Sequence, residues 1–365
     1  MHLEHLWLTD FRTYHQAELV PAASGLTVIT GANGQGKTNL LEAIGYLATL
    51  RSFRGAPGEA LIRVGAPNAV VRASGSREGR GLLIEAELKP TGRDRVQVNR
   101  QTLRRTRDLL GALQVTVFAP DDLELVKGGP AGRRRYLDDL LVALHPRHDA
   151  TQTEVERVLK QRNALLKSAA GRGRPGPDVL STLDVWDAKL TAAGEALVTA
   201  RRGLAEALSP LAGAAYATLA TGSTGPGRVT VGVRYQPSWS GSLASALAAA
   251  RDEDLRRGLS TVGPHRDELL LGIGGLPART HASQGEQRTL ALALRLGGHR
   301  LVTGRIGSPP ILLLDDVFSE LDPDRSAALL DSLPEGQALL TTAGALPAGV
   351  EAEVTVRVED GKVLL

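Results

Sequence analysis

The 365-residue chain contains no cysteine, which excludes disulfides and thiolate metal centres. Aromatic residues are scarce, with three Trp, five Tyr and four Phe, so a dedicated base-stacking platform for single-stranded nucleic acid is not expected. No run of 18 or more apolar residues occurs, and Met1 to Asp10 reads as an amphipathic strand with acidic and histidine residues rather than a signal peptide. No membrane association and a cytoplasmic location are therefore expected. The eight histidines lack an H-x-x-x-H spacing, so a catalytic metal should arrive only with a nucleotide. Lysine is also sparse, supplying seven of the 43 basic residues. A formal net charge of +3 says little about a nucleic-acid partner; the clustering of charge says more.

What the chain does have is a strand, Leu26-Thr27-Val28-Ile29, that runs into Gly31-Ala32-Asn33-Gly34-Gln35-Gly36-Lys37-Thr38 and then into the apolar-periodic Leu40-Leu41-Glu42-Ala43-Ile44. Strand, glycine loop and helix in this order make a P-loop. The glycines let successive backbone N–H groups face a phosphate, Lys37 offers a charge to the β- and γ-phosphates, and Thr38 offers a hydroxyl to Mg²⁺. ATP and Mg²⁺ are the expected cofactors. Far downstream, Pro309-Pro310-Ile311-Leu312-Leu313-Leu314-Asp315-Asp316 reads as a buried parallel strand ending in two carboxylates, the Walker B pattern. Asp315 is expected to hold Mg²⁺ and Asp316 to polarise the attacking water. Taken alone, the Asp pair is also an ordinary turn after a strand.

Ser283-Gln284-Gly285-Glu286-Gln287-Arg288, ahead of a helical segment from Thr289 to Arg300, resembles the signature motif of ATP-binding-cassette (ABC) ATPases. Serine at a helix start beside glycine gathers a hydroxyl, backbone N–H groups and the helix dipole into an anion site. The same residues spell an S-x-x-E capping box, and both roles are compatible. Order favours the signature: the Walker B strand follows one helix later, and Ser319-Glu320-Leu321-Asp322, like that family's D-loop, comes next. The resemblance implies that Ser283 and Gly285 meet the γ-phosphate held by a second copy's P-loop, so that nucleotide bridges a head-to-tail homodimer. The expected catalytic set is then Lys37, Asp316 and Ser283.

Residues 1–130 alternate short strands with the P-loop helix, including Leu82 to Leu88 and Val115 to Phe118. The hydrophobic period then changes from two to about 3.6. Stripes through Leu137, Leu140, Leu141 and Leu144, and through Val155, Val158, Leu159, Leu165 and Leu166, break at His145-Pro146; a third runs from Leu183 to Leu211. An antiparallel helical pair forming a short arm is expected, its second helix about 35 residues, or roughly 50 Å, long. A β segment near 229–235 and a helix near 243–255 complete the insertion. Beyond Ser260 the sheet is expected to resume, closing in a hairpin of Val354, Val356 and Val358 with an Asp360-Gly361 turn. The expected fold is α/β: an ABC-type P-loop ATPase head, a mixed sheet with helices, formed by 1–130 and 259–365 and split by a mainly helical insertion over 131–258.

Arginines cluster at Arg100, Arg104, Arg105 and Arg107; at Arg133, Arg134 and Arg135; at Arg172 and Arg174; and at Arg201 and Arg202. Each cluster is either a solvated face or a phosphate contact, and jointly they point to binding of duplex backbone. Over nearly its whole length the chain resembles the RecF family of SMC-related ATPases. The resemblance rests on GANGQGKTNLLEAI at 31–44, RSFRG at 51–55, FAPDDLELVKGGPAGRRRYLD at 118–138, TVGPHRDEL at 261–269, SQGEQR at 283–288 and LLLDDVFSELD at 312–322. The segments at 118 and 261 are the specific ones, the others being shared by many ATPases.

The resemblance implies an ATP-dependent DNA-binding protein of recombinational repair, needed in DNA replication and the SOS response. It would dimerise on ATP at DNA gaps and, with RecO and RecR, promote loading of RecA, its weak hydrolysis acting as a release switch. Two departures from cassette ATPases bear on turnover. No Q-loop glutamine is evident, Gln114 being the nearest candidate, and the switch-histidine position falls on Thr341 or Thr342, whose hydroxyls cannot act as a charged γ-phosphate sensor. Slow turnover is expected. Gly263 to Asp267 is either a plain turn or a part of the dimer interface, and Arg51 and Arg54 either approach the nucleotide or lie on the surface. Readings in other classes are another SMC-like ATPase of the defence type, favoured by a nuclease or toxin domain that is not evident here, and a transporter ATPase subunit, which needs no helical insertion of this length.

Overall fold

The structure, a computed structural model, describes residues 1–77, 79–170, 176–220, 230–344, 346 and 349–364. The chain divides into two compact units, the first comprising Met1–Leu123, Leu211–Val229 and Gln284–Leu365, the second Glu124–Pro210 and Thr230–Ser283.

The first unit opens with the strands β1 (His2–Phe11), β2 (Tyr14–Leu19) and β3 (Gly25–Thr30), then the P-loop and helix α1 (Lys37–Thr49). β4 (Ala69–Arg77), β5 (Arg80–Leu88), β6 (Arg95–Val98) and β7 (Gln101–Thr102) follow, and β8 (Val115–Phe118) ends this stretch. β2-β1-β4-β5-β6-β7 form an antiparallel sheet, its neighbours joined by hairpins except for β1 and β4, which pair across the intervening β2, β3 and α1. The expected amphipathic strand at the amino end is β1, and Leu6, Leu8 and Phe11 on its inner face are buried.

The second unit contains α2 (Glu124–Lys127), α3 (Pro130–Leu144), α4 (Arg147–Ala169), α5 (Pro177–Leu219, shared with the first unit), β9 (Val231–Gln236), α6 (Leu243–Arg257), β10 (Glu268–Ile273), β11 (Leu276–Pro277) and α7 (Ala278–His281). Pro130 fits the first turn of α3, where a missing N–H costs nothing. The break at His145-Pro146 separates α3 from α4, as the stripes predict. α5 is 43 residues long, well beyond the expected length, because it continues through Pro210. The division between units falls at that proline, where one helical hydrogen bond is lost. Strand β10 does not resume the ATPase sheet as expected. It pairs with β9 in continuous antiparallel register from Val231↔Ile273 to Gln236↔Glu268, forming with β11 a separate three-stranded sheet.

Arginines hold this unit together from inside. Arg162 on α4 is fully buried, donating to Asp187 of α5 at 2.6 Å, to Asp254 of α6 at 2.7 Å and to the Ser260 hydroxyl at 2.8 Å. Arg133 is buried in a two-pronged pair with Glu268 at 2.7 and 2.8 Å and also donates to the carbonyls of Leu125 and Gly128. Arg201 grips Asp138 at 2.7 and 2.6 Å and donates to Pro264 O, while Arg134 donates to Asp267 O. The segments around 118 and 261, which carry the family resemblance most specifically, are thus hydrogen-bond partners of each other. These contacts correct the sequence expectation for two basic clusters: Arg133 and Arg201 are internal struts, and only Arg135 and Arg202 are exposed. Arg172 and Arg174 lie outside the described residues.

The chain then returns to the first unit with α8 (Gln284–Ile306), β12 (Ile311–Asp315), α9 (Pro323–Ser332), β13 (Gln337–Thr342), β14 (Val354–Glu359) and β15 (Lys362–Leu364). The second sheet has the order β15-β14-β3-β13-β12-β8, parallel except for β15. Asp360 and Gly361 both have positive φ, 48° and 69°, the backbone of a tight hairpin turn. Helix α1 touches β1, β4 and β5 of one sheet and β8, β12 and β13 of the other. Covered on all sides, it buries Leu40, Leu41, Ala43, Ile44 and Leu47 completely, which is why its sequence is apolar beyond a single stripe.

Candidate nucleotide site

Strands β3, β12 and β13 run parallel, with Asp315 level with Thr341 and Thr341 level with Ile29. Their carboxyl ends therefore bring together the P-loop, the Asp315-Asp316 pair and Thr341, at the edge where open α/β sheets bind ligands. Two P-loop glycines are required by close approach and by backbone angle. A Cβ on Gly31 (φ 150°) would stand 2.4 Å from Val358 O, and one on Gly36 (φ 110°) would stand 2.7 Å from the Thr13 hydroxyl. Helix α1 has no side-chain cap and no acidic residue in its first turn. Its leading N–H groups are left for an anion.

Lys37 is buried and its Nζ donates to Gly31 O at 2.7 Å and Ala32 O at 2.9 Å. Burial lowers its pKa, while Asp316 and Asp315 act to raise it. The hydroxyls of Thr38 and Thr341 both donate to Asp315 Oδ1 at 2.8 Å. Asp315 is buried, and burial pushes its carboxyl pKa up against the pull of these two hydroxyls. Hydroxyl and carboxylate oxygens at this spacing are the hard donors that suit Mg²⁺, with phosphate oxygens and water to complete its shell. Asp316 adopts a left-handed backbone (φ 48°) and its N–H donates to Thr341 Oγ1.

The raised Asp315 pKa carries a stability prediction. An acid whose folded pKa lies above its unfolded value binds more protons when folded, so stability falls as pH rises through that window and stays lower above it. Asp315→Asn keeps the acceptor for both hydroxyls but removes the buried charge. Without nucleotide it is expected to melt about 2 °C higher than the unmodified chain at neutral pH, the gap closing below the unfolded carboxylate pKa. Calorimetry at the two pH values checks this; an equal or lower midpoint at neutral pH would count against a charge penalty.

Beyond the phosphate loop, a cleft of about 480 Å³ is lined by the P-loop, Asp316 and Thr341 and also by Arg12, Thr13, Asn39, Arg54, Ala60, Ile62 and Val64. Arg54, one of the two arginines of uncertain role, is on this wall, whereas Arg51 is not. Arg12, Thr13, Asn39 and Ile62 escape sequence reasoning. The one available signal was Glu42, a charge inside the apolar P-loop helix. It is fully buried, paired with Arg12 at 2.7 and 2.8 Å and accepting from Ser52 Oγ at 2.5 Å, so it anchors both the β1–β2 turn and the RSFRG segment beside the cleft.

Neither Ser283 nor Gly285 lines this cleft. Ser283 is exposed immediately before α8, and Gly285 is half-buried in that helix's first turn. Gln114 is corrected as a Q-loop candidate. It precedes β8, which is parallel to β12, and its carbonyl accepts from Ile311 N. It thus stands at the amino end of these strands, opposite the Asp315 end.

The sequence profile of the RecF/RecN/SMC N terminal domain matches residues 2–344. The DNA replication and repair protein RecF of Streptomyces avermitilis is 46% identical over 355 residues, covering 94% of this chain and 93% of the relative; that of Frankia alni is 46% identical over 371 residues, covering 97% and 96%. A solved structure of the recombination mediator protein RecF with ATP, of the RecFOR pathway, superposes with a TM-score of 0.89 at 29% identity, covering 99% of this chain and 96% of that one. An Smc head domain bound to the winged-helix domain of ScpA shares the fold, with a TM-score of 0.58 at 18% identity. The expected ABC-type ATPase head is the fold observed, and the chain belongs to the RecF family of DNA replication and repair proteins.

Proposed function

We propose that the protein is an ATP-driven DNA clamp of recombinational repair. The observation that carries this is the convergence of Thr38 and Thr341 on Asp315 Oδ1 beside Lys37 at the end of a parallel sheet. In this reading Lys37 turns from the carbonyls of Gly31 and Ala32 to the β- and γ-phosphates, and the α1 N–H groups with Gly31 to Gly36 cradle the phosphate chain. Thr38 and Asp315 hold Mg²⁺, which neutralises phosphate charge when bound. Asp316 orients and polarises the attacking water. Ile62 and Val64 offer an apolar wall for the base. Thr341 is a neutral neighbour of the site where a charged sensor would speed release, in keeping with weak hydrolysis that serves as a switch. Cytoplasmic action with RecO and RecR, leading to RecA loading at gaps, is part of the proposal, and family membership supports it.

The bridge between two copies is tested at Ser283. A serine cap alone contributes about 1 kcal/mol, so its loss would not affect assembly. If Ser283 grips the partner's γ-phosphate, Ser283→Arg should bind ATP as a monomer yet form no ATP-dependent dimers and hydrolyse little. Mixing Ser283→Arg with Lys37→Met leaves one composite site built from unmodified elements and should restore part of the dimer in sedimentation. Normal dimerisation of Ser283→Arg alone would remove Ser283 and Gly285 from the site.

DNA contact moves to the arginines that remain exposed. Arg100, Arg104 and Arg105 surround the short β6–β7 hairpin and are all exposed. Replacing all three by Gln should weaken binding to duplexes of any sequence and flatten the dependence of log affinity on log salt by up to about 2–3 units, since each phosphate contact releases about one counterion. An unaltered slope would return them to the solvated surface.

A further inference from the structure

The first turns of α8 and α9 meet through one side chain. A Cβ built on Gly285 would stand 2.7 Å from Nη1, 3.0 Å from Nη2 and 3.1 Å from Cζ of Arg325. Both Nη atoms stand nearer than Cζ, so the Nη edge of the guanidinium abuts the glycine. The same guanidinium is tied to Asp322: Nη1 donates to Asp322 Oδ2 at 2.8 Å, and the Arg325 N–H is capped by Asp322 Oδ1 at 2.9 Å. Its side chain is 19% exposed, well covered for an arginine at a helix start. Asp322 closes the Ser319-Glu320-Leu321-Asp322 segment, and Gly285 lies in the signature segment. Two stretches far apart in the chain are therefore joined edge to edge by Arg325.

We infer that Arg325 is a positioning residue that clamps the signature turn at Gly285 to Asp322, so that the edge offered to a second copy's nucleotide is held as one rigid piece. Gly285 lacks a side chain in order to seat the guanidinium. The planar fork is what the seat demands: its two Nη groups abut the glycine while Nη1 also reaches the carboxylate, a geometry that an ammonium cannot reproduce. It also fixes a positive charge beside the amino end of α8, reinforcing the helix dipole toward an anion. The inference rests on the nucleotide-bridged dimer proposed above.

Sedimentation with ATP and Mg²⁺ tests it. The unmodified chain is run first; if it stays monomeric, the bridge fails and the role of Arg325 fails with it. Where it dimerises, Arg325→Ala is expected to weaken the dimer about tenfold while the monomer's ATP affinity in calorimetry and its melting temperature stay the same. Arg325→Lys should remain defective. Gly285→Ala meets only the far end of a flexible side chain, so it should fold and reproduce the Arg325→Ala defect, and the double variant should be no worse than either single one. Dimerisation of Arg325→Ala at the unmodified level, full rescue by lysine, or additive defects in the double variant would each overturn the inference and leave the bridge standing.

Discussion

Lys37→Met is expected to bind ATP about 100-fold more weakly than the unmodified chain while melting at the same temperature. The lost charge is the only side-chain cation inside the loop of Gly31 to Thr38, and its ammonium sits 2.7–2.9 Å from the loop's own carbonyls, within a short swing of the phosphates those glycines surround. Methionine keeps the length and apolar stem, so packing beneath the loop is preserved. The two carbonyls released belong to Gly31, half-buried, and Ala32, exposed, where water replaces the donor at little cost. Isothermal calorimetry with ATP and Mg²⁺ decides the matter. Affinity within a factor of two of the unmodified chain would mean that the cleft is not a triphosphate site.

Arg162→Met is expected to cost the second unit about 3–5 kcal/mol, the usual effect of removing one partner from a buried ionic network. Asp254 is fully buried with its Oδ2 on Arg162, and Asp187 keeps its ion pair with Arg251. Ser260 loses a donor as well. Because the arginine joins α4, α5 and α6, the loss is shared by three elements at once. Arg162→Lys should recover little, since one ammonium cannot serve Asp187, Asp254 and Ser260 in the geometry of a fork. The expected result is an early calorimetric transition for the second unit with ATP affinity intact. A thermogram matching the unmodified chain would show that the network contributes specificity without stability.

The phosphate site was legible in the sequence because its chemistry is written in local order: a strand, a glycine loop, a lysine and a helix, and then a second apolar strand ending in carboxylates. Helices α3 and α4 and the hairpin around Asp360-Gly361 were legible for the same reason, since period and turn residues act over short range. The roles of the arginines were not. Arg133 finds Glu268 across 135 positions and Arg201 finds Asp138 across 63, and a run of arginines has the same composition whether it faces solvent or a buried carboxylate. The far wall of the cleft was hidden similarly, because Arg12 reaches the site only through the pairing of β1 with β2 and its ion pair to Glu42. Strand β10 was misplaced because alternation identifies a strand but not its neighbour.

The order of the strands in the second sheet also bears on how the protein is made. β3 lies between β13 and β14, so the strand that carries the P-loop has neither neighbour until more than 300 further residues have been translated, as the Leu26↔Ala338 pairing requires. The hydroxyl of Thr38 likewise waits 277 positions for Asp315. The second unit is spared this delay, since its partners are closer in sequence, and in a growing chain domains form as their segments emerge. On the ribosome, then, the strut-bound helical unit would be complete first, while the P-loop remained a loose glycine segment with no Walker B carboxylate opposite it. A truncated translation product would have no competent nucleotide pocket, and an unfinished chain could not compete for a dimer partner.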